Sequence, residues 1–395
     1  MDRRAFLALA ATGGVSLAGC GISVGRETRA AGSSDEPAAT ATSSTTAEND
    51  APRPLPVTIT LPVPESELRQ SVARDAIPAI TAPTFAPDWE DVEVELDSGT
   101  YRPQLGHDDL VVGVERDGVA RAYPLRVLSW HEVVNDRFDD HPVVVTYCPL
   151  CRSGMVATRR VGDDETTFGV SGYLWNENLV MYDTTTESLW GQLLATAIRG
   201  PAVETRLELL PSTVTSWGEW REAVPETEVL LPPPFSDTVV GEVRFNYGFD
   251  LYDQWARVWD AYPDMSPGDV GGDTRLSSRE LVIGVRGGDV ARAYAETRVR
   301  WAGVVADTVG DVPVVVTTAP GYTLVAYDRR VGEETLQFER VDDELVGGGS
   351  RWNIHTGSAV DGPHEGTHLY RANEYAPMLW FAWLAFNPDT EVWNA

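Results

Sequence analysis

The chain has no lysine: all 31 of its basic residues are arginine, set against 60 acidic ones in 395 residues. The formal charge of −29 argues against a nucleic-acid partner and against an anionic lipid surface, because phosphate binding depends on clustered cationic side chains. An acidic, lysine-free chain suits a salt-saturated, halophilic setting, where screening relieves the repulsion among carboxylates; a GC-rich genome that writes Arg for Lys is the other source of the bias. No apolar run is long enough for a conventional membrane span. No Asn-x-Ser/Thr glycosylation acceptor occurs. Cysteine is scarce, with three residues, which excludes a disulfide-rich scaffold. The apolar fraction of 43% is nevertheless enough to build a core, so global disorder is also excluded.

The first residues that are present read as export signals. Arg3-Arg4-x-Phe6-Leu7 resembles a twin-arginine motif, and Leu17-Ala18-Gly19-Cys20 resembles a lipobox that leaves Cys20 to be acylated. Residues 1–20 are therefore expected to be a signal peptide. Residues 21–60, rich in Ser, Thr, Ala and Asp, are expected to form a disordered tether. The expected location is extracytoplasmic, with the protein lipid-anchored to the cell membrane.

The rest of the chain contains an internal repeat. Gly113–Thr146 aligns without gaps on Gly284–Thr317, including Val119-Ala120-Arg121-Ala122-Tyr123 on Val290-Ala291-Arg292-Ala293-Tyr294. Trp130 aligns with Trp301, Trp190 with Trp352 and Trp220 with Trp383. The expected organisation is a first repeat at 61–238 and a second, degenerate repeat at 239–395. The pattern predicts a hairpin through Asp117-Gly118, a short helix opened by Pro124, a buried strand Val143–Tyr147, and a capping box at Ser216-x-x-Glu219. The fold class expected from this is a β-rich α+β protein, a tandem duplication of an antiparallel β unit with short helices.

Differences between the copies point to chemistry. Cys148 aligns with Ala319, Cys151 with Tyr322 and His131 with Ala302. Phe168 and Trp190 lie 22 positions apart, against 14 for Phe338 and Trp352; the surplus of eight falls in Gly172–Tyr182, an aromatic- and Asn-rich stretch. In Cys148-Pro149-Leu150-Cys151 two sulfurs can close a disulfide or grip a metal ion. The thioredoxin fold needs a helix directly after such a motif, and Arg152-Ser153-Gly154 leads into a strand instead. Three readings of the pair stay open. The first is a soft metal (copper, zinc or iron) on Cys148, Cys151 and His131. The second is a redox pair with Cys148 and Cys151 as the catalytic residues. The third is a static disulfide.

Tyr173, Trp175, Asn176 and Asn178 are candidate ligand-binding residues in the unshared stretch, and the partner would be an unknown small ligand or protein. Two further motifs lack their required context. His364-Glu365-Gly366-Thr367-His368 has a glycine inside and no amphipathic helix around it, and Gly169-Val170-Ser171-Gly172 has the wrong final spacing for a nucleophile elbow.

The run Ala122-Tyr123-Pro124-Leu125, Trp130-His131-Glu132-Val133-Val134-Asn135-Asp136, Thr146–Cys151 and Leu179–Asp183 resembles a bacterial and archaeal family known as domain of unknown function 3179. The resemblance runs over roughly residues 75 to 395. The Trp-His-Glu and Tyr-Cys-Pro-x-Cys segments are hallmarks of that family. This implies that His131, Cys148 and Cys151 form a shared site, while the reaction stays open. The reading that results is an exported, membrane-tethered protein that binds a soft metal or does thiol redox chemistry in the first repeat. Its alternative is a non-enzymatic envelope ligand-binding or structural module stapled by a Cys148–Cys151 disulfide.

Overall fold

The computed structural model describes residues 59–249, 251, 256–257, 260 and 270–394. The segment expected to be a signal peptide, Cys20 and nearly all of the expected tether lie outside the described residues. The described chain forms six sheets of three to five strands, arranged as the blades of a β-propeller, and three two-stranded hairpins beside them. This corrects the expected α+β class and its tandem antiparallel unit. The reason lies in element size. The fully described α-helices, Leu125–His131 (α1), Trp217–Ala223 (α2), Glu296–Ala302 (α3) and Trp380–Phe386 (α4), have seven residues each and form no layer. A three- to five-stranded sheet can bury its faces only against another layer, so the sheets pack on one another.

Blade I is built on the hairpin Leu110–Arg116 and Val119–Pro124, with Asp117 and Gly118 both at positive φ as its turn demands. Blade II holds Val133–Phe138, His141–Cys148 and Ser153–Thr158. Blade III holds Phe168–Trp175, Asn178–Asp183, Leu189–Gly191 and Thr196–Arg199. Blades IV, V and VI are built on Leu281–Gly287 with Val290–Ala295, Val304–Val309 with Val312–Ala319 and Thr323–Asp328, and Phe338–Val341 with Glu344–Gly347 and Ser350–Asn353.

Strands from far along the chain complete the blades. Thr213–Ser216 joins blade I beside Leu110–Gly113, and Met378–Leu379 joins blade IV beside Leu281–Val282. The sheets are mixed rather than purely antiparallel: Glu228–Val229 runs parallel to Arg121–Ala122, and Glu391–Val392 parallel to Arg292–Ala293. Contacts also cross between the halves. Leu379 N donates to Cys151 O at 3.0 Å, and Thr323 Oγ1 donates to Thr215 Oγ1 at 2.7 Å.

Local expectations match the structure where the signal is short-range. α1 starts directly after Pro124 and stops at Glu132, whose φ of 58° puts it in the left-handed region. Ser216 caps α2 by accepting from Glu219 N at 3.4 Å. The indole N–H groups of Trp220 and Trp383 donate to Thr227 and Thr390 hydroxyls, each at 2.9 Å. Arg121, Tyr123 and Asp136 form a buried cluster that Arg292, Tyr294 and Asp307 reproduce.

Candidate thiol site

Cys148 ends the strand His141–Cys148 of blade II, and the loop Pro149–Arg152 turns the chain back into the edge strand Ser153–Thr158, with Ser153 paired opposite Cys148. Arg152 takes a positive φ of 51° to close this turn. Both sulfurs are fully buried. The strand after the loop bears out the exclusion of a thioredoxin fold.

The surplus stretch Gly172–Tyr182 is an extension of a hairpin rather than an open loop. Trp175 pairs with Asn178, and the two-residue tip Asn176-Glu177 has φ values of 50° and 60°. A register shift between Val170 and Leu174 bends the first arm, with Gly172 at φ 83°. A side chain at Gly172 would bring its Cβ to 2.3 Å from Val72 O, so only glycine fits there. The extended arms carry the tip over the cysteines. Glu177 O accepts from Cys151 Sγ at 3.4 Å and lies 3.9 Å from Cys148 Sγ.

Below the tip, Asn178 Nδ2 contacts Cys151 Sγ at 3.6 Å and donates to Gln192 Oε1 at 2.8 Å. Gln192 Nε2 donates to Thr146 Oγ1 at 3.1 Å, and Ser153 Oγ donates to Gln192 Oε1 at 3.2 Å. Asn178 Oδ1 accepts from Leu193 N at 3.1 Å. Every member of this net is buried, so it fixes the tip and the thiols as one unit. Burial pushes the Cys151 thiol well above its ordinary value, and the adjacent Cys148 adds to the shift; the Asn178 amide opposes it. Cys151 is therefore a protonated thiol at neutral pH in this closed arrangement.

His131 sits elsewhere. Its Nδ1 donates to Pro78 O at 2.7 Å and its Nε2 accepts from Tyr247 OH at 2.9 Å, and Phe245 and Tyr247 pack on the ring. Burial lowers its pKa to about 4, against a smaller opposite effect of the Pro78 carbonyl. With both nitrogens engaged, His131 has no lone pair for a metal. Among the described residues no three His, Cys, Asp or Glu side chains group as a metal site, so the structure does not bring His131 to the two sulfurs. The thiols with Glu177 O are the donors that remain near one another.

The other candidates divide. Asn178 belongs to the thiol net, and Asn176 is exposed at the tip. Trp175 is buried against Phe386 of α4, with ring centroids 5.3 Å apart, and donates to Glu67 Oε2 at 3.2 Å. Tyr173 pairs with Gln70 at the blade edge. His364 lies against the Trp352 ring, and His368 Nδ1 meets Ser358 Oγ at 2.9 Å.

Gln192, Ser153 and the Glu177 carbonyl were not among the residues picked from the sequence. Gln192 was within reach of the repeat comparison, since alignment on Trp190 and Trp352 places it opposite Ile354. The ladders also refine the alignment. Cys148 pairs with Ser153 across a four-residue loop and Ala319 with Thr323 across a three-residue loop, so Tyr322, at φ 62°, stands where Arg152 does.

Searches of curated proteins and of solved structures found no match. A family described as "Protein of unknown function (DUF3179)" matches residues 74–390, a span that takes in all six blades except the edge strand Glu391–Val392 and the short strand Arg69–Gln70. The chain belongs to that family.

Proposed function

We propose that Cys148 and Cys151 are a reversible dithiol–disulfide centre that exchanges with disulfide-bearing partners outside the cytoplasm. The observation that carries this reading is the convergence of both sulfurs under one carbonyl at the tip of a hairpin. A structural staple would not need that hairpin, and a four-residue turn gains little entropic stabilisation from a disulfide. When the Asn176-Glu177 tip lifts, one thiol loses its proton and attacks a sulfur of the partner disulfide. A mixed disulfide forms and one partner thiolate leaves. The second cysteine then gives up its proton and displaces the other partner sulfur. The products are a Cys148–Cys151 disulfide and a reduced partner, which has gained two electrons and two protons.

Export through a twin-arginine signal and anchorage through acylated Cys20 complete the reading. They are supported by Arg3-Arg4 and by Leu17–Cys20, and no described helix is long and apolar enough to cross a membrane. The test is equilibration of the purified protein in graded glutathione buffers, followed by mass spectrometry after thiol trapping. A two-electron transition, abolished in Cys148→Ser and Cys151→Ser, is expected. A pair locked in one state across all buffers, or stoichiometric copper, zinc or iron that the unaltered chain holds and Cys148→Ser and Cys151→Ser lose, would overturn it.

A further inference from the structure

The second half has its own polar cluster at the position that corresponds to the thiol site. The loop Pro320-Gly321-Tyr322 takes the place of Pro149–Arg152, and the hairpin tip Asp342-Asp343 takes that of Asn176-Glu177. Alignment on the paired tryptophans puts His355 opposite Leu193, and Glu219 of α2 opposite Ala382 of α4. Leu193 and Ala382 are apolar and share a core with Cys148 and Cys151, whereas this seam between blades I, V and VI carries a histidine and a carboxylate.

The histidine is held firmly. Its carbonyl accepts from Thr213 Oγ1 at 2.8 Å and from the Arg371 guanidinium at 2.7 Å. Its amide donates to Asn353 Oδ1 at 2.8 Å. The ring hydrogen-bonds the Pro320 carbonyl, which accepts, while Nε2 is buried with no partner. The hydrogen is thus on Nδ1 and a lone pair is on Nε2. That lone pair faces Glu219 Oε2 at 3.9 Å, too long for a hydrogen bond. The His355 side chain is 7% exposed and that of Glu219 19%, so bulk solvent does not separate them. Glu219 packs over Gly321, where an added Cβ would stand 2.7 Å from the Glu219 Cγ.

We propose that His355 Nε2 and the Glu219 carboxylate bind a borderline divalent transition ion such as zinc, nickel or copper across this seam, with water completing the coordination. An imidazole lone pair selects these ions over calcium or magnesium. Ligands at about 2.0–2.1 Å in a tetrahedral shell stand about 3.4 Å apart, so a half-ångström closure of the pair suffices. The surrounding charges favour a cation on the carboxylate side. Burial raises the Glu219 carboxyl pKa, and Glu222 and Asp343 raise it further, while His107 acts the other way. Burial, with Arg371 behind the backbone, lowers the His355 pKa to about 4, so no proton competes for Nε2 at neutral pH.

The test is titration of the full chain with Co(II) and Zn(II) at pH 7, followed by visible spectroscopy, calorimetry and thermal melts. One ion per chain is expected, without thiolate-to-cobalt charge transfer and with a raised Tm; His355→Ala and Glu219→Gln should each weaken binding about tenfold or more and abolish the Tm rise. Binding left unchanged in either folded variant, or charge transfer showing that the ion sits on Cys148 and Cys151, would overturn the proposal. Glu219→Gln keeps the packing at Gly321, so it decides the matter if His355→Ala fails to fold.

Discussion

The two halves use the same framework to hold different surfaces. Trp130 and Trp301 occupy matching positions on α1 and α3, yet Trp130 is buried under Phe245 at 4.8 Å between rings, whereas Trp301 is 81% exposed. Trp190 donates to the Asp183 carboxylate at 2.9 Å, while Trp352 donates to Gly347 O at 3.0 Å. The Arg–Tyr–Asp clusters and the Trp–Thr pairs are alike. Trp301 apart, the groups kept in both halves hold blades, and groups that differ cover or expose a site.

The sharpest way to break this comparison is at the tryptophans. Trp220→Ala and Trp383→Ala should each cost ~3–5 kcal/mol in urea unfolding, and alike, because both rings fill the gap beside a glycine, Gly113 or Gly284. Trp130→Ala should also cost ~3–5 kcal/mol, whereas Trp301→Ala should stay within ~0.5 kcal/mol. Similar losses at positions 130 and 301 would mean that something covers α3 in solution.

The next effect is one of pH. The folded pKa of His131 and of His355, about 4, lies below the ordinary value of 6.5. The unfolded chain therefore binds the proton first as pH falls. Each histidine's contribution is fully present above pH 6.5 and is lost on the way down to pH 4, by up to about 3 kcal/mol. His131→Gln should flatten the slope of stability against pH over that window; an unchanged slope would contradict the buried neutral ring.

Smaller again is the pair Asp136→Asn and Asp307→Asn. Each should cost ~1–3 kcal/mol, with the first the larger because Asp136 is the more deeply buried. The least effect on stability, but a clear one on reactivity, is expected at the tip. Asn176→Pro cannot keep the φ of 50°. It should speed thiol alkylation about tenfold or more, while Asp342→Pro, which breaks the matching φ of 53° in the other half, should leave it unchanged.

Much of this was legible from sequence because it is local. The Asp117-Gly118 turn, the start of α1 at Pro124 and the Ser216 cap each need only neighbouring residues. The propeller was not legible, because its closure depends on Thr213–Ser216 and Met378–Leu379, short stretches whose partners lie about a hundred residues away. The thiol pair was legible as a pair, since spacing alone brings two sulfurs together. His131 was not, because its partner Tyr247 lies 116 positions on, in a segment with no counterpart motif. The surplus stretch was found by counting, and its form as a lengthened hairpin rested on an Asn-Glu turn that carries no glycine.

The hydrogen bond from Leu379 to Cys151 ties the cysteine loop of blade II to a strand that completes blade IV. A substitution that shifts the Pro149–Arg152 loop is therefore felt in blade IV as well as in blade II, and the stabilities of the two blades are not independent.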